Sequence, residues 1–503
     1  MIPSFFGYYN AHRGIMAAQS AINVINNNIT SADLEGYSRQ RIELGAEAAW
    51  QYLSNGGTMN PGQYGQSVRV LDVTRAHNNF IDLQYRSENN NKFYYDTLSS
   101  AMRQMESIMG EPNGRTISDT IRDFFASAQE LSANPDNIAV RQQFIQLAEN
   151  LLFVFQQQGQ QLRDLRTELV GDASVPATIT TSQLAVEVSE VNEILDQVAS
   201  LNKQIALITS TGASPNSLLD QRDVLLDRLS EKMNVDIVRN TNNTNTDIML
   251  NGNILVRGDT VVNRMSVTAN PGPVPTAADR PTNINLTNGA TVNTAITTGT
   301  IGGLLTMGGV APGEATIRNV LLQLDDLFDE IATDLNALQA TGRDLNGNIP
   351  VVPNNDIFGL VAGPDLALFR YSINSNIVND PTLIAAASNV SGAFEGAGDG
   401  RNALLMAQLE TSITNASLGN ITYGDYIANT VSQLGVRSSA TSGEYDTAKN
   451  IIFSINERKQ AFSSVNIDEE MVNLVKFQRS LEASQRAFRS IDEAMQTIMG
   501  MVR

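Results

Sequence analysis

The sequence predicts a multidomain α+β protein in which N- and C-terminal helices pair as a coiled coil beside a long-helix bundle domain and inserted β-rich outer domains. Three observations predict it. At the N-terminus, apolar residues recur at 4-3 spacing through Tyr8, Ala11, Ile15, Ala18, Ile22, Ile25, Ile29 and Ala32. At the C-terminus a seven-residue repeat runs through Ile467, Leu474, Leu481, Phe488, Met495 and Val502, flanked by Met471, Ile491 and Ile498. Near Val235 the composition shifts from helical periodicity to Asn, Thr, Gly, Val and Pro with turn-forming pairs. Each terminal stripe needs an apolar partner to leave water, and the other end of the chain supplies one of matching period.

The N-terminal helix is followed by an Asn-rich stretch and Gly36, a helix stop, and then by extended chain through Gln40, Ile42 and Leu44. Residues 54–66 read as a turn-rich loop. From about Val70 to Leu169 the pattern is mainly helical, carried by Ile81, Tyr85, Leu98, Met102, Met105 and Met109, and then by Phe144, Leu151, Phe155, Leu162, Leu165 and Leu169. After a break at 171–181 a further seam runs from Leu184 to Ile208, and 217–233 is a shorter amphipathic helix. Short runs at 235–239, 248–250, 254–256 and 261–267, with the pairs Asn251-Gly252 and Gly258-Asp259, read as hairpins of a small inserted β domain. Beyond the Pro-rich loop at 270–281, helix returns in an unbroken 4-3 series from Ile317 to Leu338. A second irregular insertion occupies 342–400, and the rest is mainly helical. The domains expected are 1–45 with 460–503, 46–234 with 300–341 and 401–459, 235–299, and 342–400, the last two either separate or parts of one outer domain.

A chain of 503 residues exceeds what one core holds and should split into roughly three domains. Its 34 basic and 53 acidic residues give a net charge of -19, which repels phosphate backbones and anionic lipid, so neither nucleic acid nor a membrane is an expected partner. The chain has no cysteine and two histidines, His12 and His77, which excludes disulfides, thiolate sites and most metal sites. No apolar run reaches the length of a bilayer span. The apolar start, with Ile2, Phe5 and Phe6, lacks a basic lead and is broken by Pro3 and Gly7, so a cleaved leader is not expected.

Candidate chemistry is weak. Asp344, Asn346 and Asn348 resemble the start of a calcium loop, but Gly347 falls at position four instead of six and no Glu closes the loop; a turn is expected. The glycines from Gly308 to Gly313 have phosphate-loop spacing, yet Glu314-Ala315 stands where Lys-Ser/Thr must reach the phosphates. Asp325, Asp326, Asp329 and Glu330 fit a solvated helix face better than an acid-base pair, and His12, beside Arg13, fits a surface or intersubunit contact. No enzyme activity, cofactor or metal is expected.

Apolar helical stripes are usually domain core. Here, however, the backbone entropy of ordering both termini exceeds what their seam side chains return on burial. Neighbouring copies must supply the rest. Assembly is therefore expected through Tyr8, Ile15, Ile22, Ile25, Ile29, Ile467, Met471, Leu474, Leu481, Phe488, Met495 and Val502, with both termini largely disordered in the dilute monomer.

The segment 27–40, with Asn27, Asn28, Gly36, Tyr37, Ser38, Arg39 and Gln40, resembles the N-terminal signature of bacterial flagellar rod and hook axial proteins. Its Gly-Tyr-Ser-Arg-Gln ending is similar to the hook-associated members at the hook-filament junction. Leu218-Leu219-Asp220-Gln221-Arg222-Asp223, Val465-Asn466-Ile467-Asp468-Glu469-Glu470-Met471 and Gly342-Arg343-Asp344-Leu345-Asn346-Gly347 are similar to further motifs of those members. Two departures stand out: Glu35 where the family usually has proline, and Ser480-Leu481 where a tyrosine is common. The resemblance implies a structural protein exported unfolded by the flagellar type III apparatus and assembled as a homo-oligomeric ring or short helical layer outside the cell. It implies terminal helices in an inner tube, and as partners the hook protein, the next junction protein and a cytoplasmic export chaperone at the C-terminal helix. Absence of cysteine suits threading through a narrow channel. The alternatives are another axial protein, of hook or distal rod, and a secreted enzyme or adhesin built on an axial scaffold.

Overall fold

The computed structural model describes residues 5–47, 67–110, 116–172, 175–239, 245–269, 282–309, 316–351, 355–363, 365–389, 394–413 and 418–501. The expected loops at 54–66 and 270–281, and the glycine-spaced segment beyond Gly309, lie outside them, as does Val502.

The chain begins with helix α1 (Phe5–Thr30), then strands β1 (Gln40–Ala46) and β2 (Val68–Arg75), which pair antiparallel from Gln40 opposite Arg75 to Ala46 opposite Val68. Here the sequence reading is corrected: helix does not resume at Val70. Residues 68–75 alternate too weakly to declare a strand, because both faces of β2 carry exposed side chains. Helix resumes in α2 (Asn79–Met109), whose first turn is capped by the Asn78 side chain accepting the Phe80 N–H.

Helices α3 (Ile117–Ala133) and α4 (Ile138–Val170) follow, the first opened by a reciprocal Thr116/Asp119 capping box. A short α5 (Pro176–Thr181) leads to α6 (Gln183–Ser210) and α7 (Asn216–Lys232). The β region then forms two small sheets. One has the order β3 (Asp236–Arg239), β4 (Thr246–Leu250), β5 (Asn253–Arg257), β6 (Thr260–Val261); the other pairs β7 (Met265–Ala269) with β8 (Thr282–Leu286). The run read as one strand at 261–267 is thus divided between two sheets. Asn251 and Gly252 sit at φ 45° and 82° in the β4–β5 turn, as a two-residue hairpin of this dipeptide requires. The inner faces of both sheets, with Ile248, Leu250, Val256, Met265 and Ile284, join the same continuous core as the helices.

Helix α8 (Gly299–Met307) carries adjacent glycines at 302 and 303, which argue against helix by propensity. Their value is in packing: a Cβ on Gly303 would lie 2.8 Å from Thr97 of α2, so glycine is what lets these helices approach. Next come α9 (Ile317–Thr341), β9 (Phe358–Leu360), α10 (Ala367–Arg370), β10 (Tyr371–Ile373), α11 (Ser375–Asn379) and α12 (Arg401–Gln408). The chain closes with α13 (Tyr423–Ser463), packed along α2, and α14 (Ile467–Met501), packed along α1. At the centre of the body, the buried Phe328 ring of α9 lies 5.2 Å from Phe155 and 5.3 Å from both Phe358 and Tyr371. Among the described residues no helix is long and apolar enough to cross a membrane.

Candidate functional site

The two terminal helices run antiparallel. Tyr8 meets Phe488 with ring centroids 4.3 Å apart. A Cβ on Gly7 would lie 3.2 Å from Ile491, and one on Gly14 would lie 2.9 Å from the Ser484 hydroxyl, so at both positions α1 has glycine in close contact with α14. Of the residues expected at an assembly interface, Ile25 is buried, while Ile15, Ile22, Ile29, Leu474, Leu481, Phe488 and Met495 are half-buried. Tyr8, Ile467 and Met471 remain exposed. Tyr9, Met16, Val472, Val475 and Met499 add to the apolar surface that the pairing leaves open. His12 is exposed on α1.

At the base of this hairpin the family-like motifs, far apart in sequence, form one polar joint. Asn28 is 1% exposed and fully engaged. Its Nδ2 donates to the Gln40 carbonyl at 2.9 Å and to the Glu470 carboxylate at 3.0 Å. Its Oδ1 accepts the Gln40 N–H at 2.9 Å and the Tyr37 hydroxyl at 2.8 Å, while Asn27 donates to Tyr37. Arg39 pairs with Glu470 at 2.7 Å and with Glu469 at 3.0 Å, and its backbone N–H donates to the Ser463 carbonyl at the end of α13. Gly36 has φ +77° at the third position of a turn closed by the Tyr37 N–H donating to the Leu34 carbonyl. That conformation suits glycine, and a Cβ there would come within 2.1 Å of Val224. Glu35 occupies the second turn position, one that proline also fits, with its side chain exposed and 3.6 Å from Arg228.

The next layer is charged and was not legible as a site. Along one face of α7, Asp220, Asp223 and Asp227 receive cations from four other segments. Asp220 accepts the Ser38 N–H and pairs with Arg75 at 2.9 Å. Asp223 pairs with Arg75 and Arg239 at 2.7 Å each and with Arg86 at 3.3 Å. Asp227 takes Arg86 at 2.6 Å and Lys459 of α13 at 2.7 Å. Burial opposes ionisation of Asp223, yet Arg75, Arg239 and Arg86 together hold its carboxyl well below the usual range. Burial prevails at Asp220, whose carboxyl is raised despite Arg75. Burial, helped by Asp220 and Glu470, pushes the Tyr37 phenol up to about 12. His77, paired with Asp82 at 3.0 Å, is lowered by burial and by Arg75. The hints in the sequence were the family-like run 218–223, which contains Asp220 and Asp223, and the i, i+3, i+7 spacing of the three aspartates on a helix read as amphipathic.

The joint borders a cavity of about 590 Å³ lined by the 34–38 turn, α7 and the end of α13. Of the carboxylates that line it, Asp82, Asp223 and Asp227 are paired with neighbouring cations, an arrangement that fastens segments together.

Two chemical candidates resolve into structure. The buried Asp344 carboxylate accepts the N–H groups of Asn346 and Asn348, which makes the calcium-like segment a side-chain-closed turn. The acidic face of α9 is corrected: it is not merely solvated. Asp325 accepts the Leu368 N–H at 2.6 Å and Asp329 accepts the Tyr371 hydroxyl at 2.7 Å, because the second insertion folds back onto this helix.

The family model described as flagellar hook-associated protein FlgK helical domain matches residues 102–358, over half of the chain. A second, described as flagellar basal body rod FlgEFG protein C-terminal, matches residues 461–501. Flagellar hook-associated protein 1 of Bacillus subtilis is 26% identical, over 99% of this chain and 98% of that protein. Its counterpart of Salmonella typhimurium is 27% identical over 98% and 99%. The flagellar hook junction protein FlgK from Burkholderia pseudomallei superposes with a TM-score of 0.60 at 18% identity, covering 76% of this chain and all of that one, and shares its fold. The chain therefore belongs to the flagellar hook-associated protein 1 family, structural components of the bacterial flagellum.

Proposed function

We propose that this protein builds one layer of the junction between hook and filament, by assembly of its terminal helices with those of neighbouring copies. The observation that carries this reading is the open seam. After α1 and α14 have paired, Ile467, Met471, Val472 and Val475 near the base and Tyr8 beside Phe488 still face water, and a cluster of large apolar side chains left open such as that at 467–475 marks an interaction site. In this reading residues 1–45 with 460–503 form the inner wall. Residues 46–234 with 300–341 and 401–459 form the helical outer wall; 235–299 and 342–400 form its surface while sending residues such as Ile248 and Phe358 into its core. The hook protein lies below the layer, the next junction protein lies above it, and a cytoplasmic chaperone covers the C-terminal helix before export to the cell exterior. The role is structural, without catalysis.

Removal of residues 467–503 is expected to leave a folded, soluble body in a cell whose hooks stay bare. Filaments attached at normal number in that strain would overturn the proposal.

A further inference from the structure

We infer that Asn28, Arg39 and Glu470 form a latch that fastens the base of the terminal hairpin to the body, so that the free chain is ordered through the first turns of α14 and loses order beyond them. The inference rests on the reading that the distal hairpin completes its burial among neighbours. Glu470, 2% exposed, is the one buried residue among those described in α14; the others are half-buried or exposed. What holds the first turn is polar and closes a ring. Asn466 caps it by accepting the N–H groups of Asp468 and Glu469. Glu470 receives Asn28 from the last turns of α1 and Arg39 from the loop. Arg39 also reaches the end of α13 through Ser463, and the neighbouring Ser38 reaches α7 through Asp220. Four segments thus converge on one carboxylate and the loop beside it.

Asn28 is a positioning residue whose amide cannot be imitated by a carboxylate. In Asn28→Asp the nitrogen that donates to Glu470 becomes an oxygen, and two carboxylates face each other at hydrogen-bond distance. In Asn28→Asp/Glu470→Gln the pair is restored with its polarity reversed: the amide introduced on α14 donates to the carboxylate introduced on α1. The bond to the Gln40 carbonyl and the charge pair with Arg39 are not recovered, so the rescue is partial.

The test is amide hydrogen exchange on the full-length monomer at a concentration where no oligomer forms. In the unmodified chain, residues 470–474 are expected to be protected far more than 485–500. Asn28→Asp and Glu470→Gln should each cut protection at 470–474 by on the order of tenfold or more, the size of one lost hydrogen bond to a charged group. The double variant should regain part of it. Equal, low protection at 470–474 and 485–500 would overturn the latch while leaving the assembly reading intact. Equal, high protection along all of α14 would overturn both. Losses that simply add in the double variant would also refute the latch, because a merely structural pair of sites shows no rescue.

Discussion

The body and the terminal hairpin of this protein solve the problem of burial in opposite ways. Around Phe328 the body closes its core from within: rings from α4, α9, β9 and β10 meet at 5.2 to 5.3 Å, and most apolar positions along α9 are sealed. The hairpin pairs two long helices and leaves much of its seam half-open. Between them lies a joint made of hydrogen bonds and ion pairs. An apolar core is non-directional, whereas hydrogen bonds and paired charges fix orientation. A body that must stand alone suits the first, and a hairpin that must meet its neighbours at a set angle suits the second.

The largest effect that sharpens this comparison is expected at Phe328. Its replacement by alanine empties a site with no solvent exposure and should destabilise the body by about 3–5 kcal/mol. Chemical denaturation of the monomer, followed by far-UV circular dichroism, measures it. A loss under about 1 kcal/mol, small for a large-to-small core change, would mean that the centre of the body is as loosely held as the hairpin.

Asp223→Asn comes next and tests the joint. Removing one charge from beside three arginines in a buried site should cost about 3 kcal/mol near neutral pH. The pH dependence has a definite sign. The folded-state pKa of Asp223 is depressed, so its contribution is fully present above the ordinary carboxylate value of about 3.9 and is lost as pH falls below that towards the folded value. Asp220, raised by burial, acts in the opposite sense: its contribution is lost as pH climbs through its raised value. The stability gap between the unmodified chain and Asp223→Asn should therefore be wide at about pH 5 and distinctly narrower, though not closed, at about pH 2.5. A gap independent of pH would show that the effect is steric.

The uneven legibility of the sequence follows the same division. Heptad seams announce themselves because apolar periodicity is local, and Asn251-Gly252 announces its turn because few dipeptides accept φ 45° followed by 82°. The strand at 68–75 stayed hidden because its partner is not adjacent in the sequence and neither face is cleanly apolar. The roles of Asp325 and Asp329 depend on a backbone N–H and a hydroxyl some forty residues onward, which no helical pattern contains. The motifs of the joint stood out, but the convergence of its charges was least visible of all. Charged residues are usually solvated, and nothing in a single sequence says that Arg75, Arg86, Arg239 and Lys459 converge on one helix.

A smaller effect is expected at the turn that leads into the joint. Gly36→Ala forces a left-handed alanine, costing about 1–2 kcal/mol, and presses its methyl group against Val224. Measured in a Val224→Ala background, the same substitution should cost only the backbone part. An unchanged cost in that background would mean that contact with α7 does not fix the loop.

The smallest effect on the monomer should come from Phe488, and it separates the two regions most sharply. Its ring lies 4.3 Å from that of Tyr8, a geometry which in a sealed core would make truncation cost several kcal/mol. Phe488 is only half-buried, in a hairpin that gains its remaining burial from neighbours, so Phe488→Ala should leave the stability of the dilute monomer within about 0.5 kcal/mol of the unmodified chain, as surface substitutions do. The loss should appear instead in assembly, as fewer filaments held on hooks. The reverse pattern, a destabilised monomer with normal assembly, would place Phe488 in a core completed within one chain, and the contrast between body and hairpin would fail at its clearest point.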